Sequence, residues 1–396
     1  MKPDLSRRQF LAHSAGIAGA SLGIGLPAVG AASVAGTPDG AEIRLGWIGL
    51  GDRGKHLLEA FLSLQRSLEG AKARVTALCD VNPQRLKRAL ELVRRPEPSL
   101  DKPRGYSNYR ALLDDRDVDA VVIATPVHLH AEETITALHA SKHVYCEKPL
   151  AHTLEACLEV AKAARNAEQA RRILQVGLQR RYSPRYRRSI DLVRSGDAGR
   201  VLFVRAQWHA AGNSPKDKPW IFQREKSGGM VLEQACHQFD VFNWLLGSTP
   251  LRACGFGGTS RFVDEPPGRN TMDHYGAVLE YPLGARVQLS HLSFAIPDRR
   301  FSGIYELAFT ERMGIDLPNA VAWSESGATR QLLPEGGAGS LNDTQLALRG
   351  FLESIATGRA AEAGLEAGLA STKTAILCQR ALELGRVVEW KELGSV

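Results

Sequence analysis

Between residues 43 and 147, short apolar runs alternate with amphipathic segments. Runs rich in strand formers at 44–50, 74–78, 120–124 and 143–145 are separated by stretches with helical apolar spacing at 55–68, 83–93, 109–113 and 131–139. Strands alternating with helices in this way predict a parallel, doubly wound sheet. The prolines of 95–105 make that segment a loop. Helical spacing resumes at 153–166, with Thr153 as N-cap, and at 184–194, with a strand at 173–178 between them. The period then changes. Segments 201–208, 251–255, 275–280, 286–294 and 304–309 read as strands joined without intervening long helices, which predicts a largely antiparallel sheet. Tyr281-Pro282-Leu283-Gly284 is the hairpin turn between two of them, and helices return at 342–355 and 365–384.

The expected architecture is α/β. A doubly wound domain over 41–165 precedes an α+β domain over 166–396 with a large, mostly antiparallel open sheet, and the C-terminal helices pack back beside the first domain. A chain of 396 residues suits two domains, and 44% hydrophobic with 23% charged residues is an ordinary globular balance. Of the net charge of +7, +2 lies in residues 1–35, and so mild an excess does not argue for nucleic acid. The six cysteines (79, 146, 157, 236, 254 and 378) show no CxxC or zinc spacing and are expected as free, mostly buried thiols.

Residues 1–35 change the picture of where the chain acts. Ser6-Arg7-Arg8-Gln9-Phe10-Leu11 precedes a weakly apolar run rich in Gly and Ala, resembling a twin-arginine export signal. The expected location is periplasmic or secreted, with no stable membrane insertion after cleavage. A folded, exported protein that uses a nucleotide should carry it tightly bound.

The chemistry begins at 43–55, IRLGWIGLGDRGK. Gly49, Gly51 and Gly54 stand at GxGxxG spacing between a strand and a helix. The first permits the sharp turn, the second lets the backbone approach a pyrophosphate, and the third lets the helix pack tightly on the strand. Amides around Asp52 and Arg53 at the helix start receive phosphate. Asp80, at the end of the next strand, can accept both ribose hydroxyls and would repel a 2′-phosphate. The expected cofactor is NAD, bound on a Rossmann-type sheet, with NADP kept open by Arg53. Thr125, Pro126, His128 and His130 follow the strand at 120–124 at the carboxyl edge, where ligands of such sheets lie. Further on, Glu233, His237 and Asp240 stand at i, i+4 and i+7 of a helix that starts after Gly229. A carboxylate beside an imidazole can orient it and support its protonated form. Gln179, Arg180, Arg181 and Tyr182 follow a strand end and can reach cofactor or substrate, and Trp208, His209, Trp220 and His274 can line a substrate pocket by stacking and hydrogen bonding. No spacing supports a metal site.

Taken together, GLGDRG, CDVNP, ATPVHLHAE, CEKPLA, VGLQRRYSP and GGMVLEQACHQFDVFNW resemble the glucose-fructose oxidoreductase, inositol dehydrogenase and MocA family from residue 43 to the end. The resemblance implies hydride transfer from a carbinol carbon of a sugar, polyol or glycoside. His237 takes the hydroxyl proton, Lys148 after Glu147 holds the same oxygen, and Glu233 sets the base or relays the proton. Glu233 stands where the family more commonly has aspartate. Gln179, Arg181, Trp208 and Asp240 are the expected substrate contacts. A homo-oligomer is expected. An NAD-dependent glycoside hydrolase of the same fold is the alternative, and a ligand sensor without catalysis a third reading.

Overall fold

The computed structural model describes residues 42–65, 72–94, 102–212 and 218–394; the arginine-bearing leader, residues 1–35, lies outside them. The first lobe runs β1 (Ile43–Ile48), α1 (Asp52–Gln65), β2 (Ala73–Cys79), α2 (Pro83–Arg94), β3 (Arg104–Tyr106), α3 (Tyr109–Leu113), β4 (Ala120–Ile123), α4 (Val127–His139), β5 (His143–Cys146), α5 (Leu154–Gln169) and β6 (Leu174–Val176). Its six strands are parallel, in the order β3-β2-β1-β4-β5-β6. Helices cover both faces, so the central strands are buried rather than alternating: every residue of β4 and β5 is buried. The strand order reverses between β1 and β4, which is where a ligand crevice opens at the carboxyl edge.

Two differences from the sequence reading arise here. The segment read as a proline loop ends in a short strand, β3. The strand at 173–178, assigned to the second domain, is the sixth strand of the first sheet, with Val144 opposite Leu174. A run of three buried residues reveals its partner only through tertiary register.

The second lobe continues through a 3₁₀ turn at Gln179–Tyr182, α6 (Pro184–Arg194), β7 (Val201–His209), a 3₁₀ turn at Pro219–Phe222, α7 (Arg224–Ser227) and α8 (Met230–Leu246). Then come β8 (Arg252–Gly258), β9 (His274–Glu280), β10 (Arg286–Leu292), β11 (Gly303–Thr310), β12 (Met313–Asp316), β13 (Val321–Ser324) and β14 (Thr329–Gln331). The chain closes with α9 (Asp343–Thr357), α10 (Leu365–Leu384) and β15 (Val388–Glu389). Nine strands pair in the order β14-β13-β12-β11-β7-β10-β9-β8-β15, antiparallel except for β7 beside β10. Helix α8, expected from the sequence to start after Gly229, lies between β7 and β8. β9 alternates, with Tyr275, Ala277 and Leu279 buried while Gly276 and Val278 face outward, as expected for a sheet covered by helices on one side only.

Each lobe has its own core, and α10 threads both. Leu369 packs in the first core, and Ala375, Leu377 and Leu382 in the second. α9 sits with the first core through Phe351, Leu352 and Ile355, beside Leu369 at the start of α10. All six cysteines are free thiols, five of them buried. Among the described residues no helix is long and apolar enough to cross a membrane.

Candidate active site

The glycine turn after β1 is shaped by close contacts that no side chain could share. Gly49 has φ +88°, and a Cβ there would lie 2.8 Å from the Ala124 carbonyl carbon. At Gly54 a Cβ would stand 2.0 Å from the Gly49 oxygen, so α1 packs directly on the turn. Gly51 differs: its nearest foreign atom is an Arg85 guanidinium nitrogen at 3.8 Å, so its bare backbone faces open space. The first backbone amide of α1 with an intrahelical acceptor is that of Lys55, bonded to the Gly51 carbonyl at 2.8 Å. The amides of Asp52, Arg53 and Gly54 precede the ladder. Asp80 braces the turn, accepting from the Leu50 amide (2.7 Å) and the Asn82 amide (2.7 Å). Its two oxygens retain lone pairs for ribose hydroxyls.

A cleft of about 860 Å³ follows the carboxyl ends of β2, β1, β4 and β5, from Asp80 past Gly49 and Thr125 to Lys148. Four strands side by side span about 14 Å, a fit for an extended dinucleotide lying across a turn that a Cβ would fill. Of the expected cofactor residues, Gly49, Gly51, Asp52, Arg53, Asp80, Thr125, Pro126, His128, His130, Glu147 and Lys148 line it, and Gly54 lies beneath.

At the far end, α8 meets the crossover after β5. Lys148 Nζ donates to the Glu233 carbonyl oxygen (2.5 Å) and to Glu233 Oε1 (3.2 Å), with both side chains largely buried. One turn along α8, His237 lines the same cleft, and its Nδ1 has no hydrogen-bond partner. Burial, then the charges of Lys148, Arg180 and Arg53, push the imidazole well below its ordinary value, so it is neutral at pH 7. The expected Glu233–His237 pair is therefore corrected: the carboxylate is taken by Lys148 and by the Gln234 side chain. Both residues share a face of α8, but an ammonium offers a carboxylate a charge that a neutral imidazole does not.

Other expectations resolve differently. Arg53 donates through Nε to Glu147 (2.7 Å) and leans toward Gln179 and Thr344, so it points along the domain crossover and away from any 2′-phosphate position beside Asp80. His130 is buried between the carbonyls of Pro149 (2.8 Å) and Thr125 (3.0 Å), tying the loop after β4 to that after β5. Gln179 lines the cleft, but Arg181, Trp208 and Asp240 do not. Arg181 grips Asp240 with bonds of 2.7–3.0 Å and stacks over Trp244. Asp240 lies two turns beyond Glu233, about 10 Å along the axis, which carries it past the cleft. Arg180 pairs with buried Glu306 on β11. His209 bonds Phe301 O and Ser290, His274 bonds Asp273, and of the four residues weighed for a sugar pocket only Trp220 lines the cleft.

The sequence reading missed Lys218, Ile221, Arg85 and Glu133. Glu133 accepts from Thr125 Oγ1 (2.6 Å), and burial pushes its carboxyl up to about 7. It follows His130 by one helical turn, a spacing that could have singled it out. Lys218 had no such signal, because its place depends on how the second lobe folds over the first.

A glycine turn before α1, an acid at the end of β2 and a crevice at the strand-order reversal define a dinucleotide-binding Rossmann protein. The first lobe matches the family model described as "Oxidoreductase family, NAD-binding Rossmann fold" over residues 43–177, and the second matches "GFO/IDH/MocA C-terminal domain" over 186–311. The chain belongs to the GFO/IDH/MocA family, and its cofactor is NAD.

An inositol 2-dehydrogenase of Salmonella typhimurium is 29% identical over 208 residues, covering 52% of this chain and 54% of that protein. A 1,5-anhydro-D-fructose reductase of Ensifer adhaerens is 35% identical over 151 residues, covering 38% and 44%. The chain thus matches only about half the length of these curated relatives. A levoglucosan dehydrogenase solved with NADH and levoglucosan superposes with a TM-score of 0.76 at 21% identity, over 88% of this chain and 99% of that one. That likeness is one of fold.

Proposed function

We propose that the chain is an NAD-dependent dehydrogenase acting on a secondary hydroxyl of a sugar, polyol or anhydrosugar. The observation that carries this reading is that Lys148, bonded to α8 at Glu233, and His237, one turn further along that helix, line one cleft together with the glycine turn. Bound NAD supplies the hydride acceptor. Lys148 holds the substrate oxygen and stabilises the negative charge that develops on it as the proton leaves. His237, neutral and lining the cleft, takes that proton. Glu233 fixes the ammonium of Lys148 at the cleft wall. Trp220 and Ile221 present apolar surface to the carbon face of the substrate.

The names of the related dehydrogenases and the reductase support a polyhydroxylated substrate. The test has two steps. The nucleotide released on denaturing purified protein is identified by mass, and reduction of NAD is followed across a panel of sugars, inositols and anhydrosugars. Accumulation of a keto product is expected; cleavage of aryl glycosides without net NADH would replace this reading with the hydrolytic one.

Export through the twin-arginine route remains part of the proposal, on the strength of Arg7 and Arg8, and periplasmic recovery of activity checks it. We also propose a homo-oligomer built on the open sheet face. There Phe203 stands opposite Phe309, their rings 6.4 Å apart, and Phe309 follows on through Gly314 to Trp323. Phe309 and Trp323 are exposed large apolar groups on one surface, the kind of patch that marks an interface. A solution mass of one chain, or a mass unmoved by Phe309→Lys, would remove that part of the proposal.

A further inference from the structure

We infer that Lys218, delivered by the second lobe, is a ligand for the dinucleotide pyrophosphate, held in waiting by Asp52. Lys218 Nζ lies 3.0 Å from Asp52 Oδ2, and both residues line the cleft. Asp52 heads α1, so the ammonium is parked beside the free amides of Asp52, Arg53 and Gly54, where a phosphate docks.

Three cations of this cleft have carboxylate partners, and the partners differ. Arg53 is held by Glu147, whose side chain is 5% exposed, and Lys148 by Glu233 at 13%, whereas Asp52 is 61% exposed. An ion pair to so exposed a carboxylate is worth little as a fastener. A pyrophosphate presents two negative charges and more acceptor oxygens at the same place, so a flexible ammonium moves to it with little lost. Asp52 then becomes a like charge near the phosphate, a reason for the ammonium to bridge the two.

The position of Lys218 is set by its own lobe. It precedes the 3₁₀ turn Pro219–Phe222, whose Trp220 and Ile221 line the cleft. That turn is fastened from behind: the Asn270 amide bonds the Phe222 carbonyl at 3.0 Å, and the Arg269 guanidinium sits 4.9 Å from the Phe222 ring centre. Phosphate contact by Lys218 would therefore fix Trp220 and Ile221 over the reactive end once the nucleotide is in place. The inference rests on the NAD site alone and stands apart from the identity of the hydroxyl substrate, so the two can fail separately.

The test is nucleotide binding. NADH release from the holoprotein is followed by fluorescence after a chase with excess NAD, and ADP and adenosine are titrated as competitors. In Lys218→Ala, release should accelerate by about tenfold, the effect of losing one hydrogen bond to a charged group. ADP should weaken by a similar factor while adenosine is unmoved, and Lys218→Arg should hold near the parent. Asp52→Asn is the second arm. Freed of its holder and of the like charge, Lys218 should retain NADH at least as long as in the parent. The inference is overturned if Lys218→Ala and Asp52→Asn speed release equally, which would make the pair a simple fastener. It is overturned equally if Lys218→Ala weakens adenosine as much as ADP, or leaves NADH release within about twofold of the parent.

Discussion

Lys148→Met is expected to lower the rate of NAD reduction on the order of a thousandfold, about 4 kcal/mol of barrier, while the nucleotide stays bound. The reasoning starts from burial. The Lys148 side chain is 13% exposed and faces the cleft at the crossover, so its charge acts through little water on an oxygen that gains charge during proton removal. Methionine keeps the length and the apolar stem but supplies no charge and no donor. It also leaves the Glu233 carboxylate without its ammonium, which costs stability in its own right. Lys148→Met combined with Glu233→Gln separates the two effects: the double variant should regain thermal stability without regaining rate. Single-turnover absorbance with saturating substrate reads the chemical step, and NADH fluorescence reads cofactor occupancy. A rate within about tenfold of the parent in either variant would remove Lys148 from the chemistry.

The parts of this arrangement that were legible in the sequence are those governed by local rules. Gly49, Gly51 and Gly54 announce themselves because the backbone turns sharply, meets a phosphate and then packs a helix: a Cβ would clash at Gly49 and Gly54, while Gly51 stays bare toward open space. Asp80 is legible for a similar reason, since its distance from the glycines is set by one helix and one strand. The doubly wound lobe follows from strands alternating with helices, and the second sheet from strand-like runs that follow one another; in the structure β9 and β10 alternate buried and open positions. What local pattern could not show is which partner a charged side chain takes. Glu233 and His237 share a face of α8, yet Lys148 arrives from a segment 85 residues earlier and claims the carboxylate. Arg181 and Asp240 find each other across 59 residues and leave the cleft together. The short strands β12 to β14 carry Gly314, Asp316 and Ser324 and have too few residues for a periodic signal, so only pairing with β11 reveals them.

His237→Ala is expected to lower kcat/KM by about two to four orders of magnitude and to change its pH dependence. His237 lies below its ordinary value because it is buried and faces Lys148, Arg180 and Arg53, so the protonated form, which cannot accept the hydroxyl proton, appears only in acid. In the parent, the limb due to this imidazole should fall below the free-histidine value of about 6.5, with activity lost as pH drops and no inflection from His237 on the alkaline side. The same displacement has a stability consequence. Between the folded and unfolded values the unfolded chain binds the extra proton, so His237 makes the fold less stable as pH falls below about 6.5. A second titration can be mistaken for this one, because Glu133 lines the same cleft and is raised to about 7. The variants tell them apart. His237→Ala should erase the acid limb and leave any inflection near 7 in place, whereas Glu133→Gln should remove the latter and keep the former. If the acid limb of kcat/KM stays where it was in His237→Ala, the base is another group, and Glu233, on the same helix face and already bonded to Lys148, is the first to test.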